Sequence, residues 1–168
     1  LEESYPLYCG DKARHIIPNI QHLLEEELAR GSKVFFICDQ HDPDDPEFKM
    51  FPPHCIEGTA EAEVIPELAK YPGEITAKKR YSGFFATTLE GKLKRLKPEK
   101  LIVCGVCTNI CVLHTVADAV NRDYEVEVPT DCVASFDEAA HRFALEHMEK
   151  MLGAKLTNVT HVQIKLSK

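Results

Sequence analysis

The sequence predicts an α/β fold of three layers, α/β/α, in which helices cover both faces of a mostly parallel sheet. Two apolar runs, Lys33–Cys38 and Leu101–Cys104, have the length and composition of buried strands. Between and after them, apolar residues recur three and four positions apart, which is the spacing of amphipathic helices. Because strands that alternate with helices form parallel sheets, these observations indicate the class.

The first half of the chain is expected to place two helical segments and two strands around a long loop. An apolar face that ends near Ala29 predicts the first helix, and Pro18 indicates that its regular part begins close by. A helical turn around Ala60–Leu68 and a short strand at Glu74–Ala77 follow the loop. The loop itself is predicted from four prolines, Pro43, Pro46, Pro52 and Pro53.

The second half alternates helices and strands in the same way. Gly153 is expected to stop the last helix, and residues 160–166 alternate polar with apolar side chains, which predicts a half-exposed edge strand. The other predicted elements are a helix through Leu89 and Leu96, the strand Leu101–Cys104, a helix at Ile110–Asn121, a strand at Tyr124–Val128 and a helix at Glu138–Leu152.

Composition limits the class of partner. The net charge of −7 argues against nucleic acid or an anionic membrane as the main partner, and no apolar run approaches the length of a membrane span. Seven cysteines is an odd count without the spacing of a small disulfide-rich domain, so a reducing cytoplasm fits best. A small molecule is the expected partner, and a homo-oligomer is compatible with the sequence.

A strand, a sharp turn and a helix surround Cys111, which predicts a nucleophile site. Gly105 ends the apolar run and helical spacing resumes at Ile110, so unpaired backbone N–H groups near Cys111 are expected to favour its thiolate. Cys104 lies within the strand and is interpreted as a buried small hydrophobe. A redox dithiol of Cys104 and Cys107 is the alternative for this C-x-x-C.

Lys78 follows a predicted strand and is expected to lie beside the cysteine. A cation there would favour the thiolate, and backbone N–H groups could form an oxyanion hole, as acyl transfer requires. The neighbouring Lys79 and Arg80 leave a merely solvated basic surface as the alternative. His114 lies on the nucleophile's helix and is interpreted as a helix histidine rather than a general base.

Asp39, His41 and His54 offer one carboxylate and two imidazoles, a ligand set suited to zinc, iron or manganese. Asp39 and His41 come directly after a strand, as do Lys78 and the turn at Cys111. Because ligands of parallel sheets bind beyond the carboxyl ends of the strands, these residues are expected at one sheet edge. A charged surface loop is the alternative.

Four ordered segments resemble the isochorismatase-like cysteine hydrolases, and among them most of all the nicotinamidases/pyrazinamidases. Gly105–Val112 matches the family's nucleophile turn, and Lys78-x-x-Tyr81-Ser-x-Phe84 matches its lysine segment. Asp39-x-His41 and Phe51–Thr59 resemble the metal-ligand segments of nicotinamidases. The resemblance extends from about Cys9 to Gly153 and implies that residues 1–168 form a single isochorismatase-like hydrolase domain.

The resemblance implies a metal-dependent amidohydrolase that deamidates nicotinamide to nicotinate through a thioester on Cys111. Lys78 would support the thiolate, the backbone N–H groups of Cys107 and Cys111 would form the oxyanion hole, and the Val106–Cys107 peptide would be cis. A divalent metal, zinc above iron or manganese, would take the pyridine nitrogen. The other implied residues are the metal ligands Asp39, His41 and His54 and the aromatic pocket residues Phe51 and Tyr81.

One family segment has no counterpart in the chain. The resemblance implies a general-base Asp at the end of an N-terminal strand, and no such segment occurs before residue 10. We therefore expect either a strand missing from this chain or an inactive protein. The functional alternatives are hydrolysis of another small amide, a ureide or isochorismate, a non-catalytic small-molecule or metal-binding scaffold, and the dithiol redox protein.

Overall fold

The computed structural model describes residues 8–159, which form an α/β structure with five α-helices and exclusively parallel strand pairs among those residues. Every helix in this range is too short or too polar for a membrane span. The helices are α1 (Gly10–Ala29), α2 (Pro66–Ala69), α3 (Leu89–Leu96), α4 (Leu113–Val120) and α5 (Glu138–Lys150). The strands are β1 (Phe35–Asp39), β2 (Glu74–Lys78), β3 (Leu101–Ile102), β4 (Gly105–Val106), β5 (Val126–Pro129), β6 (Val133–Ala134) and β7 (Lys155–Thr157).

The parallel strand pairing predicted from the sequence is confirmed, and in the described range it consists of four strand pairs in three sheets. β1 pairs with β2, β3 with β5 and β5 with β7, while β4 pairs with β6. The first ladder aligns the last residues of its two strands, because Asp39 is the register partner of Lys78. Parallel pairing therefore brings two of the predicted site residues side by side.

The run Leu101–Cys104 is less regular than the sequence predicts. Only Leu101 and Ile102 pair in β3, and all four residues are half-buried rather than buried on both faces. β5 is the only partner of β3 in the described range, and Gly105, at φ 116°, redirects the chain into β4. No strand precedes β1 within residues 8–159, and the predicted strand at residues 160–166 lies outside the described residues.

Helix α1 begins earlier than expected, because Pro18 lies in its interior rather than in its first turn. A proline there removes one backbone hydrogen bond, so other contacts must hold the helix. Ile16, Ile20 and Leu24 are buried in an apolar cluster with Cys132 and Ala134. In addition, the Asn19 side-chain amide donates a hydrogen bond of 2.8 Å to the Asp131 carbonyl. Tertiary packing thus outweighs the local cost of proline.

Two apolar clusters lie on opposite faces of the sheet and produce the three layers. The first contains residues of α3, α4, α5 and β5, whereas the second contains the buried face of α1. Val133 and Ala134 are adjacent in β6, and they belong to the first and the second cluster respectively. Since successive side chains of a strand point to opposite faces, the sheet separates the two helical layers.

Candidate active site

The predicted nucleophile lies in a π-helical turn that leads directly into α4. Residues Thr108–Val112 form this turn, where the sequence predicts an ordinary helix from Ile110. The wider turn follows from the backbone hydrogen bond of Val112 N–H to the Cys107 carbonyl, 3.2 Å, which spans five residues. The Val106–Cys107 peptide bond is cis, as the resemblance implies. Cys111 is half-buried on this turn.

Two side chains from other elements hold the turn in place. His141 of α5 contacts the buried Thr108 hydroxyl through its Nδ1 at 2.9 Å. The Ser135 hydroxyl donates to the Asn109 side-chain oxygen at 2.6 Å. Both residues lie in the segment that follows β6, so contacts with the C-terminal part of the chain hold the turn in place. Sequence reasoning missed both, because nothing in their local pattern distinguishes them from helix and cap residues.

Lys78 lies where the sequence predicts, in contact with the cysteine. Its ammonium nitrogen is 3.3 Å from the Cys111 sulfur and donates to the Arg80 carbonyl at 3.0 Å. It also forms a short ion pair with the Asp39 carboxylate. The Lys78 side chain is only 3% exposed, so its charge acts on these partners with little screening by water. The adjacent Lys79 is exposed and pairs with Asp42.

The charges around Cys111 oppose one another. Burial raises the pKa of the Cys111 thiol, the Lys78 ammonium lowers it, and the Asp39 carboxylate raises it again. A backbone hydrogen bond from Cys107 also lowers it, yet the net direction is upward. The expected preference of the turn for a thiolate is therefore present but is outweighed by burial. For Lys78, burial lowers the pKa, but the charges of Cys111 and Asp39 raise it overall.

A second group of side chains is able to hold a metal ion. One ligand atom each from His41, Glu47 and His54 lies within 4.8 Å of the others. The imidazole rings of His41 and His54 are 4.8 Å apart, and His54 Nε2 is 4.0 Å from Glu47 Oε1. His41 is 1% exposed, and its Nε2 is a buried nitrogen without a hydrogen-bond partner among the described residues. A metal ion would satisfy that nitrogen.

Asp45 prepares His41 for this role. Its carboxylate lies 3.1 Å from His41 Nδ1 and accepts hydrogen bonds from Arg80 at 3.0 and 3.1 Å. Burial raises the pKa of Asp45, but hydrogen bonds from the Glu47 N–H, His41 and Arg80 outweigh burial and lower the pKa to about 2. Because the carboxylate is charged, it accepts a hydrogen bond from the Nδ1–H group of His41, which leaves the Nε2 lone pair for a ligand.

The loop returns His54 to His41 by backbone pairing. His41 N–H donates to the Cys55 carbonyl and Glu57 N–H donates to the His41 carbonyl, both at 2.9 Å. These bonds form a parallel bridge between His41 and Ile56 outside the named strands. Phe48 packs against both imidazoles, with ring centroids 5.5 Å from His41 and 5.6 Å from His54. The predicted convergence of the two histidines is thus a consequence of this bridge.

Asp39 differs from its expected placement. The sequence predicts it as the third metal ligand, but its carboxylate contacts Lys78, and the metal-capable group among the described residues contains Glu47 instead. The reason is the register of β1 and β2, which sets Asp39 opposite Lys78. Glu47 lies in a short 3₁₀ helix, Pro46–Lys49, and its carboxylate is 4.0 Å from His54 Nε2. Sequence reasoning did not identify Glu47 or Asp45.

Phe51 and Tyr81, the predicted pocket residues, are both half-buried near these two groups. The Phe51 N–H donates to the Glu47 carbonyl at 3.1 Å. Burial raises the pKa of Tyr81, and the negative charges of Glu47 and Cys111 raise it further. The Tyr81 phenol therefore interacts electrostatically with one residue of each group. The Tyr81 ring is 5.3 Å from the exposed His114, whose Nδ1 contacts the Ile110 carbonyl at 2.7 Å. His114 is thus a helix-surface residue, as interpreted from the sequence.

Comparison with known proteins places the chain among relatives of known class. A family model described as the isochorismatase domain matches residues 6–160. The isochorismatase family protein PncA of Bacillus subtilis (strain 168) is 38% identical over 161 residues, which are 89% of this chain and 88% of the relative. The crystal structure of nicotinamidase/pyrazinamidase PncA from Bacillus subtilis has a TM-score of 0.82 at 37% identity, covering 89% of this chain and 88% of that one. For the pyrazinamidase/nicotinamidase from Streptococcus mutans UA159 the TM-score is 0.84 at 34% identity, covering 92% and 91%.

Proposed function

This chain belongs to the isochorismatase family of hydrolases, and from that premise we propose that it is a metal-dependent cysteine amidohydrolase that converts nicotinamide to nicotinate and ammonia. The observation that carries the proposal is the contact of the buried Lys78 ammonium with the Cys111 sulfur at 3.3 Å. A cysteine in contact with a buried cation is the arrangement of an activated sulfur nucleophile.

In the first step, the Cys111 thiolate attacks the carboxamide carbon of the substrate. Lys78 stabilises that thiolate by its charge, and Asp39 holds the Lys78 side chain against the sulfur. The proton that the Cys111 thiol gives up is transferred to the carboxamide nitrogen, so that ammonia leaves as the C–N bond breaks and the acyl group remains on Cys111 as a thioester. Attack by water on the thioester then releases nicotinate and restores the thiol. The complete cycle therefore consumes only the amide and one water.

The developing negative charge on the substrate oxygen needs hydrogen-bond donors close to the sulfur. We propose the backbone N–H groups of Cys107 and Cys111, at the start of the π-helical turn, as that oxyanion hole. The backbone hydrogen bond from Cys107 to the Cys111 sulfur supports this assignment, because it places an N–H group beside the reacting atom.

The metal site of the proposal consists of His41, Glu47 and His54, whose donor atoms fit a divalent cation. The His41 Nε2 atom, which has no hydrogen-bond partner in the described part of the chain, supports this assignment. Asp39 remains a proposed fourth ligand on the resemblance, since a carboxylate has a second oxygen besides the one that contacts Lys78. When bound, the cation would take the pyridine nitrogen of the substrate. Phe51 and Tyr81 would flank the ring, and the chain would thereby present the carboxamide to Cys111.

Ammonia release from nicotinamide tests the proposal, with the chain as isolated and after loading with Zn²⁺. We expect nicotinate and ammonia in equal amounts from the loaded protein, and a covalent adduct of the nicotinoyl group on Cys111 in mass spectra of acid-quenched samples. Hydrolysis with no adduct on Cys111 would overturn the nucleophile assignment. Absence of nicotinamide turnover, with turnover of an acyclic amide or a ureide, would overturn the substrate and favour another family hydrolase.

A further inference from the structure

Two cysteine sulfurs from distant parts of the chain are in contact beside the nucleophile turn. The Sγ atoms of Cys9 and Cys107 are 3.4 Å apart, although the residues are separated by 98 positions in the sequence. Cys9 directly precedes α1, and Cys107 directly precedes the π-helical turn. Both thiols are half-buried.

This pairing differs from the dithiol that the sequence suggests. Cys104 and Cys107 form the C-x-x-C, but Cys104 packs against the apolar cluster beneath α1. Burial raises the pKa of Cys104 to about 11, which leaves it a poor nucleophile. Cys107 instead meets Cys9 from another element. Tertiary structure therefore selects the partner that local spacing does not indicate.

We propose that Cys9 and Cys107 form a thiol-oxidation site, at which a hydroperoxide converts the two thiols into a disulfide without the participation of Cys111. To form the disulfide, the sulfurs need to approach from 3.4 Å to about 2.0 Å, a movement of roughly 1.4 Å. The proposal does not rest on the amidohydrolase activity, although Cys107 also contributes a backbone N–H group to the proposed oxyanion hole.

The environment assigns the two sulfurs different roles. The hydrogen bond shared with Cys107, in which either sulfur can donate, lowers the pKa of Cys9; burial raises it, and the backbone of Phe136 and the charge of Lys12 lower it again. The same hydrogen bond, with burial, raises the pKa of Cys107. Cys9 is accordingly the sulfur that attacks the oxidant, and Cys107 is the resolving thiol.

The reaction balances with the hydroperoxide as the only co-reactant. The Cys9 thiolate attacks one peroxide oxygen, so an S–O bond forms, the O–O bond breaks, and hydroxide leaves as water after it takes up a proton. The Cys107 sulfur then attacks the Cys9 sulfenic acid, so the S–S bond forms and the S–O bond breaks. A second water leaves with the Cys107 proton. The two thiols lose two electrons and two protons, and hydrogen peroxide becomes two waters.

Peptide mapping after peroxide treatment tests the site. The Cys111→Ala protein is treated with hydrogen peroxide, remaining thiols are blocked with N-ethylmaleimide, and the unreduced digest is analysed by tandem mass spectrometry. We expect a cross-link between the peptides that contain Cys9 and Cys107, and its disappearance after treatment with dithiothreitol.

Three double variants identify the partners. In the Cys111→Ala background, Cys9→Ser and Cys107→Ser should each abolish the cross-link, whereas Cys104→Ser should retain it. Native far-ultraviolet circular dichroism confirms that each variant is folded. A cross-link within the peptide of Cys104 and Cys107, or oxidation of Cys9 and Cys107 only to separate sulfinic acids, would overturn the proposal. Persistence of both free thiols while other cysteines react would overturn it as well.

Discussion

The nucleophile turn, Thr108–Val112, and the loop that carries His41, Glu47 and His54, here called the histidine loop, lie at the carboxyl end of the pair β1 and β2, yet they are built in opposite ways. Lys78 and Cys111 lie on or beside regular elements, because β2 ends at Lys78 and Cys111 leads into α4. His41, Glu47 and His54 lie in irregular backbone that is closed by one bridge, His41 to Ile56. The first region depends on the core, whereas the second depends on its own hydrogen bonds and on any ion it binds.

Their electrostatics differ as well. Around Cys111, burial and the Asp39 charge oppose the Lys78 charge, so the thiol's pKa is raised despite the adjacent cation. Around His41, the Asp45 carboxylate is strongly held in its charged form, and one imidazole nitrogen has no hydrogen-bond partner within residues 8–159. The nucleophile region is therefore sensitive to any change of charge, and the histidine loop is sensitive to loss of a ligand or of the carboxylate that orients it.

The largest expected effect is the loss of ammonia release when the nucleophile is removed, with the metal-capable group left intact. Cys111→Ala should lower ammonia release by more than about a thousandfold, because it removes the atom that forms the thioester. The affinity for Zn²⁺, measured by calorimetric titration, should be unchanged, since the metal-capable group contains no cysteine. As a control, Cys104→Ser should keep most of the activity. Equal losses in the two variants would favour a dithiol function.

A ligand deletion should act on the other region. His54→Ala is expected to weaken Zn²⁺ binding by at least about a hundredfold, since removal of a direct ligand costs more than removal of an outer-sphere partner. The rate at which iodoacetamide alkylates Cys111 in metal-free protein should be unaltered. His114→Ala, a control on the exposed surface of α4, should change neither quantity. Loss of Zn²⁺ binding in His114→Ala would place the metal elsewhere.

The orienting carboxylate should have a smaller effect on the same region. Asp45→Asn removes the charge that fixes the His41 tautomer, so we expect about a tenfold to hundredfold loss of Zn²⁺ affinity. Asp44→Asn is the matched control, because Asp44 is exposed and neighbours Asp45 in the sequence. If both variants bind Zn²⁺ equally well, the contact of Asp45 with His41 has no part in metal binding.

The smallest changes are shifts in the titration of Cys111. Lys78→Ala removes the positive charge that lowers the pKa of this thiol, so the pH profile of alkylation should move to higher pH. Asp39→Asn removes a negative charge that raises it, and in metal-free protein the profile should move to lower pH. Lys79→Ala should leave the profile in place, because Lys79 is exposed and paired with Asp42. Equal shifts for Lys78→Ala and Lys79→Ala would indicate a diffuse basic surface.

The parts of the fold that follow from local pattern were predictable. The strand–turn–helix at Cys111 is contiguous in sequence, and its Gly105 and the change in apolar spacing are visible without a structure. β2 and α3 are also found where their patterns predict them. Pro18 shows the limit, because its local preference for a first turn is overridden by burial of Ile16 and Ile20 on the sheet.

The parts of the site that depend on tertiary contacts were not predictable. Glu47 and Asp45 lie in a loop without periodicity, and their convergence on His41 requires the bridge to Ile56 and the Arg80 side chain. The contact of Asp39 with Lys78 depends on strand register, which spacing along the chain does not specify. The sequence therefore predicted that Lys78 lies beside Cys111 and His41 beside His54, but not the carboxylates that contact them in the structure.

The most direct test of the central claim is the ratio of turnover on nicotinamide to turnover on an acyclic amide, measured before and after chelation of the metal. If the histidine loop binds a cation that holds the pyridine nitrogen while Cys111 reacts, chelation should lower turnover of nicotinamide far more than that of the acyclic amide. His54→Ala should reproduce this selective loss. An unchanged ratio, with nicotinamide turnover unaffected by chelation, would contradict the account and leave only a cysteine hydrolase of the isochorismatase family.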